Sequence, residues 1–193
     1  MYGGAIQILR DGSEQKIILP QNKSGFVFRN LLRQFEIDVA TMMIKRTSLV
    51  QDKINFDGRV YGSEEYNLLL RLAVNKKFAV INEPIAKVRI HRDSLTYSVM
   101  EKWAQDRRLT LHTIIKENQN LENQYKSEFR EAFARADYYE ARWLVTQGKV
   151  STAKTILGNI KFVDWRYLGL YAVLIISKDF WDFTHKFLRS SRQ

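Results

Sequence analysis

The sequence predicts a chain that is α/β in its first half and mostly α-helical in its second half, with the change near residue 97. In residues 1–97, short apolar runs alternate with turn-forming residues, which is typical of strands and short helices. Both prolines, Pro20 and Pro84, lie in this half. Residues 98–193 contain none, which favours long helices because proline removes a backbone donor. We therefore predict two parts, 1–97 and 98–193.

The first predicted element is a β-hairpin. Two mainly apolar runs, 5–9 and 16–19, flank Asp11 and Gly12, and glycine tolerates the positive φ that a tight turn needs. After the hairpin, four apolar side chains at helical spacing predict a helix over 26–35.

A second helix is predicted over 64–77, with Ser63 as its cap. Its acids lie in the first turn and its lysines in the last, which matches the helix dipole. The other predicted elements of this half are a strand or the end of a buried segment over 39–44, a polar loop over 51–62, and strands over 78–81 and 86–90 on either side of Pro84.

The second half is predicted to be helical over 101–116, 124–147, 150–160 and 167–189, with a break at Gly148. Residues 134–160 resemble one helix-turn-helix repeat of the tetratricopeptide kind. Such repeats occur in arrays, so a simple helical hairpin with small residues at its crossing is the favoured interpretation.

The last predicted helix contains an apolar run over 167–176, which is shorter than the ~20 residues that span a bilayer. Together with Trp181, Lys186 and Arg189, this helix either lies on an anionic membrane surface or docks on the rest of the domain.

The net charge is +10, and each predicted part carries half of it. An even basic excess suits anionic partners, although it also describes an ordinary basic surface. No nucleic-acid-binding motif accompanies the charge, so no nucleic-acid partner is predicted. The chain has no cysteine, which excludes a disulfide framework and a zinc-thiolate site.

The best candidates for chemistry are Glu64 and Glu65, at the predicted junction between a loop and a helix. A general base needs to face the substrate while rigid structure holds it, and this position provides both. The alternative is structural, because acids in a first turn stabilise a helix through its dipole.

A second candidate segment follows the last predicted strand. It contains Arg89, His91, Arg92 and Ser94. A neutral imidazole can bind a metal ion, and arginines can neutralise phosphates. The alternative is a histidine at a strand end that is hydrogen-bonded to a neighbour.

Together the two segments resemble a known family. An acidic pair, a tyrosine and Leu-x-x-Arg-Leu over 64–72 precede Glu-Pro-Ile-Ala-x-x-Arg-x-His-x-x-Ser over 83–94. This combination resembles the C-terminal part of the family 2 glycosyltransferase domain of GT-A fold. Phe56-Asp57 and the segment over 42–46, expected to be a strand that ends in basic residues, also fit the family pattern. The resemblance covers about residues 1–97.

The resemblance implies a function in bacterial surface glycan synthesis. Glu65 would be the base that deprotonates an acceptor hydroxyl, with Glu64 beside it. His91 would contact a divalent cation, Mg²⁺ or Mn²⁺, or the diphosphate, and Arg89, Arg92 and Ser94 would contact substrate. The partners would be a nucleotide diphosphate sugar and a glycan or lipid-linked acceptor. The expected location is the cytoplasm, with peripheral contact at the inner face of the plasma membrane as the alternative.

The chain departs from the family pattern at two points. Glu65 stands where the family usually has aspartate, and no Asp-x-Asp element for the donor is present. We therefore expect a fragment that begins inside the domain, binds no metal alone and forms homo-oligomers through open strand edges. The alternative function is a non-catalytic helical module that binds a partner protein.

Overall fold

The computed structural model describes residues 1–9, 11–91, 98–178 and 180–182. It is a mixed α/β structure, as the sequence predicts at that coarse level. The strands are β1 (Tyr2–Ile8), β2 (Glu14–Ile18) and β3 (Val80–Arg89). The α-helices are α1 (Phe28–Arg33), α2 (Arg46–Asp52), α3 (Glu64–Asn75), α4 (Trp103–Glu117), α5 (Leu121–Gln124), α6 (Lys126–Thr146), α7 (Val150–Ile160) and α8 (Trp165–Ile176).

The three strands form one sheet in the order β2-β1-β3. β1 and β2 pair antiparallel, and Gly12 has a φ of 88° in their connection, so the predicted hairpin is confirmed. β1 and β3 pair parallel from Tyr2 opposite Val80 to Ile8 opposite Arg89. The hairpin turn between β1 and β2 and the C-terminal end of β3 therefore lie at the same end of the sheet.

The prediction of two strands around Pro84 is wrong, because β3 is continuous through it. Pro84 lies opposite Gly4, where the register between β1 and β3 shifts. Proline is tolerated at an irregularity of this kind, where a ladder hydrogen bond is missing anyway. A side chain at Gly4 would not fit, since its Cβ would come within 2.7 Å of the Ile18 carbonyl oxygen.

The strand interpretation for 39–44 and 42–46 is also wrong. Val39–Thr41 is a 3₁₀ helix, and the Asp38 carboxylate accepts a hydrogen bond from the Ala40 N–H at 2.9 Å. The chain then runs extended to α2, a short helix that the sequence does not predict and that packs Leu49, partly buried, against the core. Local capping by Asp38 outweighs the apolar composition here.

The first of two hydrophobic clusters packs α1, α3, α4 and α6 together. Its buried members include Leu31, Leu70, Leu111, Ile114 and Phe129. Side chains from both sides of residue 97 therefore contribute to one core. The predicted division into parts stays a prediction, but the packing is continuous across it.

An ion-pair cluster joins α1 to α6. Arg29 Nε lies 2.6 Å and Arg33 Nη2 3.1 Å from Glu128 Oε1. Burial raises the pKa of Glu128, but hydrogen bonds from Arg29 and Ser127 outweigh it and lower the pKa to about 2. The ionised carboxylate thus stabilises the contact between the two helices.

The second cluster lies beyond residue 133. It contains Ala141, Ala153, Leu157, Leu174 and other buried side chains of α6, α7 and α8. α6 and α7 form the predicted helical hairpin, and Gly148, with a φ of 75°, lies in the turn between them. The helix over 150–160 is confirmed with its predicted bounds.

The predicted helix over 167–189 is interrupted. α8 ends at Ile176, and Ser177 has an extended backbone with φ −165° and ψ 141°. Residues 178 and 180–182 are helical again, and residues 183–189, Lys186 and Arg189 among them, lie outside the described part of the chain. Within the part of the chain that the structure describes, no helix has the length and apolar content that crossing a bilayer requires.

Candidate functional site

The first turn of α3 carries Glu64 and Glu65, as predicted. Ser63 occupies the N-cap position, as predicted, and is buried, but its side chain makes no capping hydrogen bond. Both carboxylates are only partly buried, whereas the helix behind them is buried along most of its length. The acids therefore stand at the surface end of a rigid element.

The charge state of Glu65 is set by its surroundings. Burial raises its pKa above the ordinary value, and the nearby Glu64 and Asp38 carboxylates raise it further. Its own backbone N–H and the Arg107 guanidinium oppose this rise. A carboxylate whose pKa moves towards neutrality is a stronger base, which is what a proton acceptor in catalysis needs.

Arg107 is held beside these carboxylates by two aromatic rings. Its guanidinium carbon lies 4.2 Å from the centre of the Tyr66 ring and 4.9 Å from that of Tyr139. Tyr66 is itself buried and packs edge-on against Phe35. These contacts fix a positive charge next to the first turn of α3.

The loop before α3 is positioned by Asp106 of α4. The buried Asp106 carboxylate accepts hydrogen bonds from the backbone N–H groups of Tyr61, at 3.1 Å, and Gly62. Burial raises the pKa of Asp106, and these hydrogen bonds partly offset the rise. Gly62 also touches Val99, where an added Cβ would lie 3.0 Å from Cγ2. Asp106, 45 positions from Tyr61 in the sequence, thus holds the loop together with Val99.

A buried polar pair continues this link between α3 and α4. The Asn67 side-chain amide donates to Thr110 Oγ1 at 3.0 Å, and Thr110 Oγ1 donates to the Asp106 carbonyl at 2.9 Å. Sequence reasoning missed Asp106, Asn67 and Thr110. The only local signal for these residues is a polar side chain on the apolar face of a predicted helix. That signal does not indicate which group the side chain binds.

The Phe56-Asp57 element forms a tight turn near the surface. The Asp57 carboxylate binds the Arg59 side chain at 2.9 and 2.7 Å and accepts the Arg59 N–H. These hydrogen bonds lower the pKa of Asp57 to about 2. Asp57 is therefore an ionised turn residue, paired with Arg59.

At the end of β3, Arg89 donates a hydrogen bond from Nη1 to the Leu9 carbonyl at 3.0 Å. His91 follows and is partly buried, while Arg92 and Ser94 lie outside the described residues. Within the described ranges, no hydrogen bond or ion pair joins His91 to Glu64 or Glu65. Nor do these ranges contain a group of three side chains suited to hold a metal ion. The metal role of His91 and the substrate roles of Arg89, Arg92 and Ser94 stay predictions.

A largely apolar pocket of about 450 Å³ lies elsewhere, between the start of β1, the segment over 42–45 and the last turns of α3. Its lining includes Tyr2, Leu69 and Leu72, with Lys45 and Lys76 among its polar residues. Glu64 and Glu65 are not part of it. The candidate base therefore faces a different part of the surface.

Comparison of the chain with protein-family models, curated proteins and solved structures found no match. The residues of the chain itself therefore carry any assignment of function.

Proposed function

We propose that this chain forms the acceptor side of a family 2 type glycosyltransferase of GT-A fold and that Glu65 is its catalytic base. The observation that carries the proposal is the placement of Glu65. It is a partly exposed carboxylate with a raised pKa in the first turn of a buried helix. The resemblance of residues 64–72 and 83–94 to that family supports the same role.

The proposed reaction is an inverting displacement. Glu65 takes the proton of an acceptor hydroxyl, whose oxygen then attacks the anomeric carbon of the donor sugar. The bond from that carbon to the diphosphate oxygen breaks, and the nucleoside diphosphate leaves with the electron pair. Arg107, fixed between two rings, keeps a positive charge close to the base and limits how far its pKa rises.

The proposed substrates are a nucleotide diphosphate sugar and a hydroxyl of a glycan or lipid-linked acceptor, on the cytoplasmic side of a bacterial membrane. The net charge of +10 suits such anionic molecules. A Mg²⁺ or Mn²⁺ ion would balance the charge of the leaving diphosphate. The described residues do not form a site for it, so the proposal assigns them no step through a metal.

The test uses the product of the complete reading frame that contains these 193 residues. Transfer of labelled sugar from a nucleotide diphosphate sugar to an acceptor extract is measured, with donor affinity determined by calorimetry. Glu65→Gln is expected to lower kcat by about 10²- to 10⁴-fold with donor affinity unchanged, because it removes only the proton acceptor. Glu65→Asp, which restores the usual family residue, is expected to keep activity.

Glu64→Gln is the matched control, since it removes a neighbouring charge from the same turn. It is expected to change kcat by less than about tenfold. Full activity of Glu65→Gln would contradict the proposal.

A second candidate function is a non-catalytic helical module. The observation that favours it is the second hydrophobic cluster of α6, α7 and α8, in which α6 and α7 form a helical hairpin. This function predicts that binding to a partner protein is indifferent to Glu65→Gln, whereas the enzymatic proposal requires loss of turnover.

A further inference from the structure

The outward face of α8 is apolar over its whole length. Trp165 and Ile176 at its two ends are 80% and 72% exposed. Leu168, Ala172 and Ile175 between them are also exposed. Their spacing of three and four residues places them on one side of the helix. A helix normally carries polar residues on the side that faces water, whereas α8 carries apolar residues there.

The opposite side of α8 keeps this face directed outward. Tyr167 and Leu174 are buried in the second cluster, where Tyr167 packs against Tyr138 at a ring-centre distance of 5.9 Å. Asp164 caps the helix by accepting the Arg166 N–H at 2.8 Å. The exposed apolar residues are thus a fixed surface of a well-packed helix.

The apolar face is bordered by positive charge. Residues 149–182 contain five basic side chains and three acidic side chains. Lys161 Nζ lies 5.1 Å from the ring of Phe162, which is 76% exposed just before α8. Arg166 on one flank is paired with Asp164 at 2.6 Å, and Lys178 follows the end of the helix. Lys161 and Lys178 therefore place positive charge near both ends of the apolar face.

We propose that Phe162 and the outward face of α8 form a docking surface for an anionic phospholipid bilayer, with the helix lying parallel to the membrane plane. Apolar side chains would enter the boundary between headgroups and acyl chains, and the basic residues would contact lipid phosphates. A helix of 12 residues is about 18 Å long, too short for a hydrocarbon core of about 30 Å. It can therefore lie on a bilayer but not cross it.

Charge decides between a bilayer and a second copy of the chain. Two copies that met through this face would bring two basic borders together, which costs free energy. An anionic bilayer offers the opposite charge and covers the same apolar residues. The inference does not depend on Glu65 or on glycosyl transfer.

The test is co-sedimentation of the 193-residue chain with vesicles. Equimolar phosphatidylcholine and phosphatidylglycerol are compared with phosphatidylcholine alone. Binding to the mixed vesicles is expected to be at least about tenfold tighter and to weaken as salt is added. Equal binding to both, or binding to neither, would overturn the proposal.

Two sets of variants identify the surface. Trp165→Ser with Ile176→Ser is expected to weaken vesicle binding about 100-fold, because two large apolar side chains no longer leave water. The matched control is Val50→Ser with Phe56→Ser, two side chains that are 66% and 62% exposed elsewhere. It is expected to bind like the unaltered chain, and an equal loss in the control would contradict the proposal.

Lysine variants and light scattering complete the test. Lys161→Gln with Lys178→Gln is expected to weaken binding to the mixed vesicles about 25-fold, against no such loss for Lys23→Gln with Lys45→Gln. If light scattering shows a dimer that Trp165→Ser with Ile176→Ser dissociates, the face is an interface between copies and the bilayer proposal is wrong.

Discussion

α3 and α8 are helices of equal length, 12 residues each, that use their apolar side chains in different ways. α3 buries seven of its residues, and its two acids stand together in the first turn. α8 buries only two and leaves a row of apolar side chains in solvent. α3 therefore presents two carboxylates at one end, whereas α8 presents an apolar surface along its length.

The difference teaches where to look for function on each helix. A helix that is mostly buried has few residues left for chemistry, so the partly exposed Glu64 and Glu65 are its candidates. A helix whose apolar residues remain uncovered gains free energy when something covers them. The first case fits a catalytic group on a rigid support, and the second fits association.

The largest expected effect comes from matched core substitutions in the two helices. Leu70→Ala in α3 is expected to lower the free energy of unfolding by about 4 kcal/mol, because Leu70 is buried in the larger cluster and its loss leaves a cavity. Leu174→Ala in α8 removes the same atoms from the smaller cluster and is expected to cost about 2–3 kcal/mol. Urea denaturation followed by circular dichroism measures both.

The exposed Ile176 supplies the control for this comparison. Ile176→Ala is expected to change the free energy of unfolding by less than about 0.5 kcal/mol. α6 contributes to both clusters, so each variant should shift one common transition. A separate early transition in Leu174→Ala would show that the two clusters unfold independently.

A smaller effect is expected at the ion pairs that join α1 to α6. Glu128→Gln is expected to lower the free energy of unfolding at neutral pH by about 1–2 kcal/mol. The Glu128 side chain is only 2% exposed, but Arg29 is 60% exposed, so solvent screens part of the attraction. Thermal denaturation over a range of pH measures the effect.

The pH dependence of that effect has a defined sign. The pKa of Glu128 is lowered in the folded state to about 2. Its stabilisation is therefore complete above the ordinary value of 4.5 and is lost as the pH falls towards 2. Glu128→Gln should flatten the loss of stability in this acid range. Glu131→Gln, which removes the weaker partner of Arg33 at 3.7 Å, should not.

The parts of the fold that the sequence predicts are those with strong local signals. Gly148 and the apolar spacing after it predict α7 within its observed bounds. Asp11 and Gly12 predict the hairpin in the same way. Where local signals compete, the prediction fails, as in the segment that Asp38 caps into a 3₁₀ helix.

In the candidate site, too, the residues with a local signal are predictable and the others are not. Glu64 and Glu65 are predictable because their position in a first turn is a local property. Asp106 is not, because it reaches the backbone of Tyr61 from another helix. Only tertiary packing brings these groups together, and the spacing of residues in the sequence does not predict that packing. The burial that raises the pKa of Glu65 is equally a property of the folded chain.

The smallest expected effect tests whether the first turn of α3 holds a functional charge at the expense of stability. The pKa of Glu65 is raised mainly by burial, so the ionised side chain destabilises the folded state at neutral pH. Glu65→Gln is therefore expected to raise the free energy of unfolding, by at most about 1 kcal/mol. Because a raised pKa favours the protonated folded state, this gain should disappear as the pH falls below the ordinary glutamate value of 4.5. Glu64→Gln controls for the loss of an acid from a helix start, which alone should lower stability by about 0.5 kcal/mol. If both variants lose stability equally, Glu65 stabilises the helix through its dipole as Glu64 does. The first turn of α3 then holds no charge that costs stability, and the catalytic interpretation of α3 loses this support.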